Sequence, residues 1–387
     1  MKFRLFAAVL SLSAGLLALI PAGAQPMLTY TDAQGDFYVS DSGRLVHLEH
    51  LRVRSVQHAA NSLAYVNNVG DLIYYGGHQQ KRLDVSNPTF YRNTDYYLYY
   101  GNGGSFSLFD GTERKYLGFI QNNPFCFGDS IAAMHDYAEF FYVYEAGQFM
   151  ELEQQPVLTA TAGDNILAYV NHIGQFRIYF HGEQMDIDSY GPIMIQAGAN
   201  TVTFIDNYQF MKVFWNGQVY ELMNLPQINC LSSNYSPNPY LSSYCNGPIV
   251  VDVQTELPVC KTGDDLVAYV DDIGDFYVFY KGIITALENQ PPRQYEIIDN
   301  VLWYEDGNGF FKVFCNGELA VVETYMPKTI RADMDIVAYT DLDNRLKVHY
   351  KGKTQAVSQN IILQFDLNST MVMYSEIPNK FKFQIIR

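Results

Sequence analysis

The stretch that decides the fold is Asp264-Asp-Leu-Val-Ala-Tyr269-Val-Asp271, continued by Asp272-Ile-Gly274 and Phe276-Tyr-Val278-Phe-Tyr280. Apolar residues alternate on both sides of a short Asx/Gly turn, the pattern of an antiparallel hairpin with a tight connection. The same sentence stands at Asp164-Asn-Ile-Leu-Ala-Tyr169-Val-Asn171 and at Asp335-Ile-Val-Ala-Tyr339-Thr-Asp341. A recurring unit sets the architecture before any single residue does, and it marks most conspicuous side chains as structural.

With the tyrosine as anchor, equivalent positions are Tyr30, Tyr65, Tyr99, Met134, Tyr169, Phe204, Tyr269, Tyr304, Tyr339 and Tyr374. Successive spacings are 35, 34, 35, 35, 35, 65, 35, 35 and 35 residues. Inside the gap of 65, Cys245-Asn-Gly247 repeats the unit ending Trp215-Asn-Gly217, so 218–247 reads as a degraded, shortened eleventh unit. After each hairpin come two further short runs, such as Ile284–Glu288 and Tyr295–Ile298, punctuated by Pro291-Pro292. Four short strands per repeat, with no helical period of useful length, predict an all-β chain of tandem ~35-residue, four-stranded, β-propeller-like repeats. The apolar-Tyr strand, turn, aliphatic strand and closing Gly resemble the blades of TolB-like propellers. That resemblance runs over nearly all of 26–387 at the level of the blade, but the Ser-Pro-Asp-Gly turn of that family is absent. One large ring, two smaller rings meeting near 223–246, and an open array all fit the spacing.

The N-terminus, Met-Lys-Phe-Arg followed by an apolar run from Leu5 to Ile20 and Pro21-Ala-Gly-Ala24, reads as a cleavable export signal. The expected organisation is therefore a signal at 1–24, repeats at 25–222, an irregular segment at 223–246, and further repeats at 247–387. Removing 1–24 takes away Lys2 and Arg4 and no acid, moving the formal charge from −16 to −18. No basic run exists, which argues against nucleic acid as a partner. No later apolar run is long enough for a transmembrane span.

Two columns invite chemistry. Two residues after the anchor stand Asp32, Asn67, Asp136, Asn171, Asp206, Asp271, Asp306 and Asp341. They read as Asx side chains bonding their own turns rather than as calcium ligands. Eight residues after the anchor stand Arg177, Lys212, Lys312, Lys347 and Lys382, expected to lie opposite the tyrosine as cross-strand pairs. The eight histidines show no His-x-x-x-His and no carboxylate-flanked pair, and no metal or cofactor is expected. Of the five cysteines, Cys230 and Cys245 are the favoured disulfide. His135, Glu139, Asp186 and Arg114 break the repeat pattern and are the candidate site residues. The leading reading is an exported, non-catalytic module that binds a protein or glycan partner. A polysaccharide-acting enzyme and a structural envelope component are the alternatives.

Overall fold

The computed structural model describes residues 26–41, 44–119, 125–225, 230–232, 249–251, 260–378 and 380–386. Beside a two-stranded ladder of 230–232 with 249–251, they form ten antiparallel sheets in chain order, which we call blades 1 to 10: 28–49, 55–86, 90–119, 126–153, 159–188, 194–224, 260–288, 294–323, 329–361 and 364–385. Blades 2 to 9 have four strands, as in blade 5 with Thr159–Ala162, Ile166–Val170, Phe176–Phe180 and Glu183–Asp188. Blades 1 and 10 have three described strands each. The fourth run of each sequence repeat, such as Gln294–Ile298, is thus the first and innermost strand of the following blade.

Alternation along the second and third strands builds the core. In blade 5, Leu167, Tyr169 and Tyr179 pack on Ile131, Phe141 and Val143 of blade 4. Their neighbours Ile166, Ala168, Phe176 and Ile178 pack on Val202, Phe204 and Phe214 of blade 6. Both faces of every such hairpin are covered by a neighbouring blade, so these strands read apolar at every position. The fourth strands lie outside and are largely exposed.

The Asx column folds as expected. The Oδ1 of Asp306 accepts the amides of Asn308 and Phe310, both at 2.9 Å, and Asp32, Asn67, Asp136, Asn171, Asp206, Asp271 and Asp341 repeat this on their own turns. The basic column also pairs with the anchor in register, Tyr169 opposite Arg177 and Tyr304 opposite Lys312. Its energetic role is larger than a surface contact. Tyr304 is fully buried and donates to Glu288 at 2.7 Å, from the outer strand of the preceding blade, while Lys312 Nζ reaches Glu288 at 2.6 Å and Asp306 at 2.9 Å. Tyr169–Glu153–Arg177 and Tyr339–Glu323–Lys347 repeat this bridge between blades. Removing one member strands the others in a half-dry site. Glu288→Ala is expected to lower the unfolding free energy by about 2–3 kcal/mol in urea denaturation, against less than about 1 kcal/mol for the exposed Asp186→Ala.

The ring closes between blades 10 and 1. Met371 and Met373 bury against Leu28, the rings of Tyr30 and Phe381 stack at 4.3 Å, and Asn368 Nδ2 donates to the carbonyls of Met27 and Ala59 at 2.7 and 3.2 Å. Among the described residues, no strand of either blade is exchanged across this seam.

Most of the expected eleventh unit at 218–247 lies outside the described residues. Gln218–Asn224 is the outer strand of blade 6, and Cys230–Ser232 pairs with Ile249–Val251 in a separate two-stranded ladder. Blade 7 packs directly on blade 6, with Val213 and Trp215 against Val267 and Phe279. The apolar face that a blade must offer on both sides is supplied there without the intervening segment. The proposed Cys230–Cys245 bond involves a position outside the described residues. Cys126, Cys260 and Cys315 are free thiols.

Candidate functional site: the central opening

The turn from first to second strand, described in blades 2 to 10, is where the blades converge on the axis. In blades 4 to 7 it begins with glycine: Gly128, Gly163, Gly198 and Gly263. A Cβ on Gly163 would sit 1.5 Å from the carbonyl oxygen of Gly198, and one on Gly198 would sit 1.7 Å from that of Gly263. Glycine stands here because the backbones of adjacent blades touch.

The residue after each glycine position lines the opening as Asp129, Asp164, Asp264 and Asp299 in blades 4, 5, 7 and 8, and is Ala199 in blade 6. The next residues form a belt around the ring. Ser130 Oγ donates to Asn165 at 2.8 Å, Asn165 to Asn200 at 3.3 Å, and Asn200 to Asp265 at 3.2 Å, while Asn300 accepts from the Asp265 amide at 2.8 Å. Backbone bonds run parallel to it, as from Asn200 N to the Asp264 carbonyl at 3.0 Å. Three carboxylates also staple neighbours: Asp95 accepts from Ala60 N, Asp299 from Met334 N, and Asp333 from Ser369 N.

The result is a cavity of about 750 Å³ whose described lining includes eight aspartates, at 95, 129, 164, 264, 299, 333, 335 and 366, and neither lysine nor arginine. Burial, reinforced by the other carboxylates of the ring, pushes Asp129 and Asp264 up to about 7 and Asp333 up to about 6. Asp164 and Asp299 are raised for the same first reason. His58, on the same wall, is half-buried and held below its ordinary value by desolvation, and it bonds Thr29 Oγ1 at 2.8 Å. The ring therefore holds a shared pool of protons near neutrality, and a cation entering it would displace them.

The candidate residues from the sequence sit elsewhere. His135 is buried in blade 4, accepting the Val157 amide at 3.1 Å beside Phe141. Glu139 is an exposed turn residue with φ of +65°, Asp186 pairs with Arg177 on the outer strand of blade 5 at 2.7 Å, and Arg114 lies over the Tyr100 ring in blade 3. None lines the central cavity. The central acids were within the quoted repeat all along, as its first residue at Asp164 and Asp264. Their signal was the Gly-Asp-Asx column, which only ring closure turns into a site. On the opposite face the second-to-third-strand turns carry exposed apolar tips, Val69, Tyr137, Ile173, Tyr208, Ile273 and Leu342.

The 10-bladed beta propeller domain profile matches residues 21–136, 119–250 and 244–385. The chain belongs to this 10-bladed propeller family. Among solved structures the 10-bladed propeller is similar to the computationally designed Ika8 protein, at 13% identity over 86% of this chain and 96% of that one, with a TM-score of 0.33. It is similar to Hsv2 of Kluyveromyces lactis at 12% identity, over 69% and 95% of the two chains, with a TM-score of 0.32. It is also similar to human WBSCR16 at 8% identity, over 65% and 86%, with a TM-score of 0.30. No curated protein matches the chain.

Proposed function

We propose that this propeller is a binding module, acting outside the cytoplasm, that receives a lysine- or arginine-rich segment of a protein partner in its central opening. The observation that supports it is the gathering of eight aspartates, from seven blades, around one cavity of about 750 Å³ whose described lining has neither lysine nor arginine. Such a wall focuses negative potential inward, favouring a cation over a neutral or anionic glycan. Carboxylates held near 7 must lose protons to meet a cation, so binding releases protons and tightens as pH rises through 6 to 8. A fluorescent tetralysine peptide titrated by anisotropy is expected to bind several-fold more tightly at pH 8 than at pH 6. The Asp129→Asn/Asp164→Asn/Asp264→Asn variant should weaken it at least about tenfold at low salt. Equal affinity of the variant, or tighter binding of a neutral oligosaccharide, would overturn the reading.

The same raised carboxyls favour a second reading, glycoside cleavage, because a general acid works best with a pKa near the working pH. Release of reducing ends from polysaccharide, abolished by Asp129→Asn or Asp264→Asn, would favour it over peptide capture.

A further inference from the structure

Blade 1 carries a cluster that its equivalents in other blades lack. We propose that Asp36, His47 and His50 form a binding site for a divalent transition metal of the zinc class. Nε2 of His47 and Nδ1 of His50 approach the same oxygen, Oδ1 of Asp36, at 3.3 and 3.4 Å, and the three donor atoms lie within 4.8 Å of one another. A four-coordinate zinc with bonds of about 2.0–2.1 Å spaces its ligand atoms about 3.3–3.4 Å apart, whereas six-coordinate geometry brings adjacent ligands closer, to about 3.0 Å. Two imidazoles with one carboxylate suit zinc, nickel or copper rather than calcium or magnesium, which take oxygen donors.

Local structure explains how two histidines separated by Leu48-Glu49 meet one acid. His47 pairs across the strands with Tyr38 and Glu49 with Phe37, so the bulge between them leaves Leu48 unpaired and re-aims the chain toward Asp36. Leu48 turns into the core, and Glu49 is taken by the Tyr65 hydroxyl of blade 2 at 2.9 Å. Asp36 is fixed from behind, its amide donating to Asp32 Oδ1 at 2.9 Å. Tyr38 packs edge-on against the His47 ring at 5.0 Å. In blades 5 and 6 the position of His47 holds an acid that serves the cross-strand pair, Asp186 opposite Arg177 and Glu221 opposite Lys212, and in blades 7 to 9 it holds Ala286, Val321 and Ala356. The position of His50 holds Ser189, Asn224 or Thr324, and that of Asp36 holds Gln175, Phe210 or Phe310. The two histidines are therefore departures from the repeat that hairpin upkeep does not account for, whereas the acid recurs as Asp71 in blade 2 and Asp275 in blade 7 without histidines beside it. The sequence reading found no carboxylate-flanked histidine pair, because Asp36 lies on the far side of a hairpin. His50 is 88% exposed, so the fourth coordination position opens to water.

Isothermal titration of tag-free protein with zinc chloride at pH 7.5 is expected to show saturable uptake of one equivalent that is lost, or weakened at least tenfold, in His47→Ala and in His50→Ala. Calcium chloride should give no such binding. Cobalt(II) should give the visible band of a four-coordinate centre without thiolate charge transfer, separating this site from metal held by cysteines. His50 is exposed enough that His50→Ala should keep the wild-type Tm, so loss of uptake cannot be laid to unfolding. Zinc uptake unchanged in the His47→Ala/His50→Ala variant, or no saturable uptake by the wild type, would overturn the proposal.

Discussion

Gly163→Ala is expected to be among the most damaging single substitutions in the chain, although it adds one methyl group. That methyl would lie 1.5 Å from the Gly198 carbonyl oxygen and 2.6 Å from its carbon. Both obstacles are backbone, tied into the belt around the axis, so neither yields by a side-chain rotation. Relief requires blades 5 and 6 to separate, which strips apolar contact from the Ile166–Phe204 interface along its length. A cost of at least about 3 kcal/mol follows, visible as a Tm several degrees lower and as earlier urea unfolding. Gly182→Ala is the matched control. It has φ of +80° and nothing within 4 Å of the added atom, so only backbone strain of about 1 kcal/mol should appear. Equal effects at the two sites would show that blade contact at the collar is not what requires glycine at 163.

The second large effect is a gain. Asp129→Asn combined with Asp264→Asn should stabilise the protein at pH 8 by on the order of 2 kcal/mol, an amount reduced from the full pKa displacement because the opening admits water. The sign follows from linkage. Both carboxyls sit near 7 in the fold against about 4 in the unfolded chain. Between those values the folded state holds more protons than the unfolded one, so wild-type stability falls as pH rises from about 4 to about 7 and levels off above. The asparagine variant loses the share of that slope due to Asp129 and Asp264 and keeps the share from Asp164, Asp299 and Asp333. The two curves should meet near pH 4 and separate as pH increases, in thermal melts across the range. A variant no more stable than wild type at pH 8 would show that the ring does not repel itself. Acids retained at a cost to stability are a common mark of function.

Much of this architecture was legible in the spacing of Tyr30 through Tyr374, because burial of both faces of the hairpin forces one apolar alternation in every copy. The Asx turns were legible for a similar reason: Asp306 and its equivalents act within four residues of themselves. Blade phase was not legible, since whether Gln294–Ile298 ends one unit or begins the next depends on which neighbour it hydrogen-bonds. The start of the 218–247 stretch was misassigned because the end of one unit and the start of the next share the same apolar alternation, and Gln218–Asn224 pairs back onto blade 6. The central acids could not be ranked above other aspartates from spacing alone. Asp164 and Asp264 stand 100 residues apart, and only the curvature of the array brings them to one wall.

The seam between blades 10 and 1 has a consequence of its own. Nine of the ten inter-blade couplings are backed by a covalent connection, and the tenth rests on side chains such as Met371, Leu28, Tyr30 and Phe381 together with the Asn368 bonds. Thermodynamically the molecule is a linear chain of nearest-neighbour units bent until its ends touch, with one extra coupling gained on closure. Topologically no strand would need to be cut to move that untethered junction elsewhere. A circular permutant opened between blades 5 and 6, with a linker across the present seam, would keep every strand pair and shift the weak point to the opposite side of the ring.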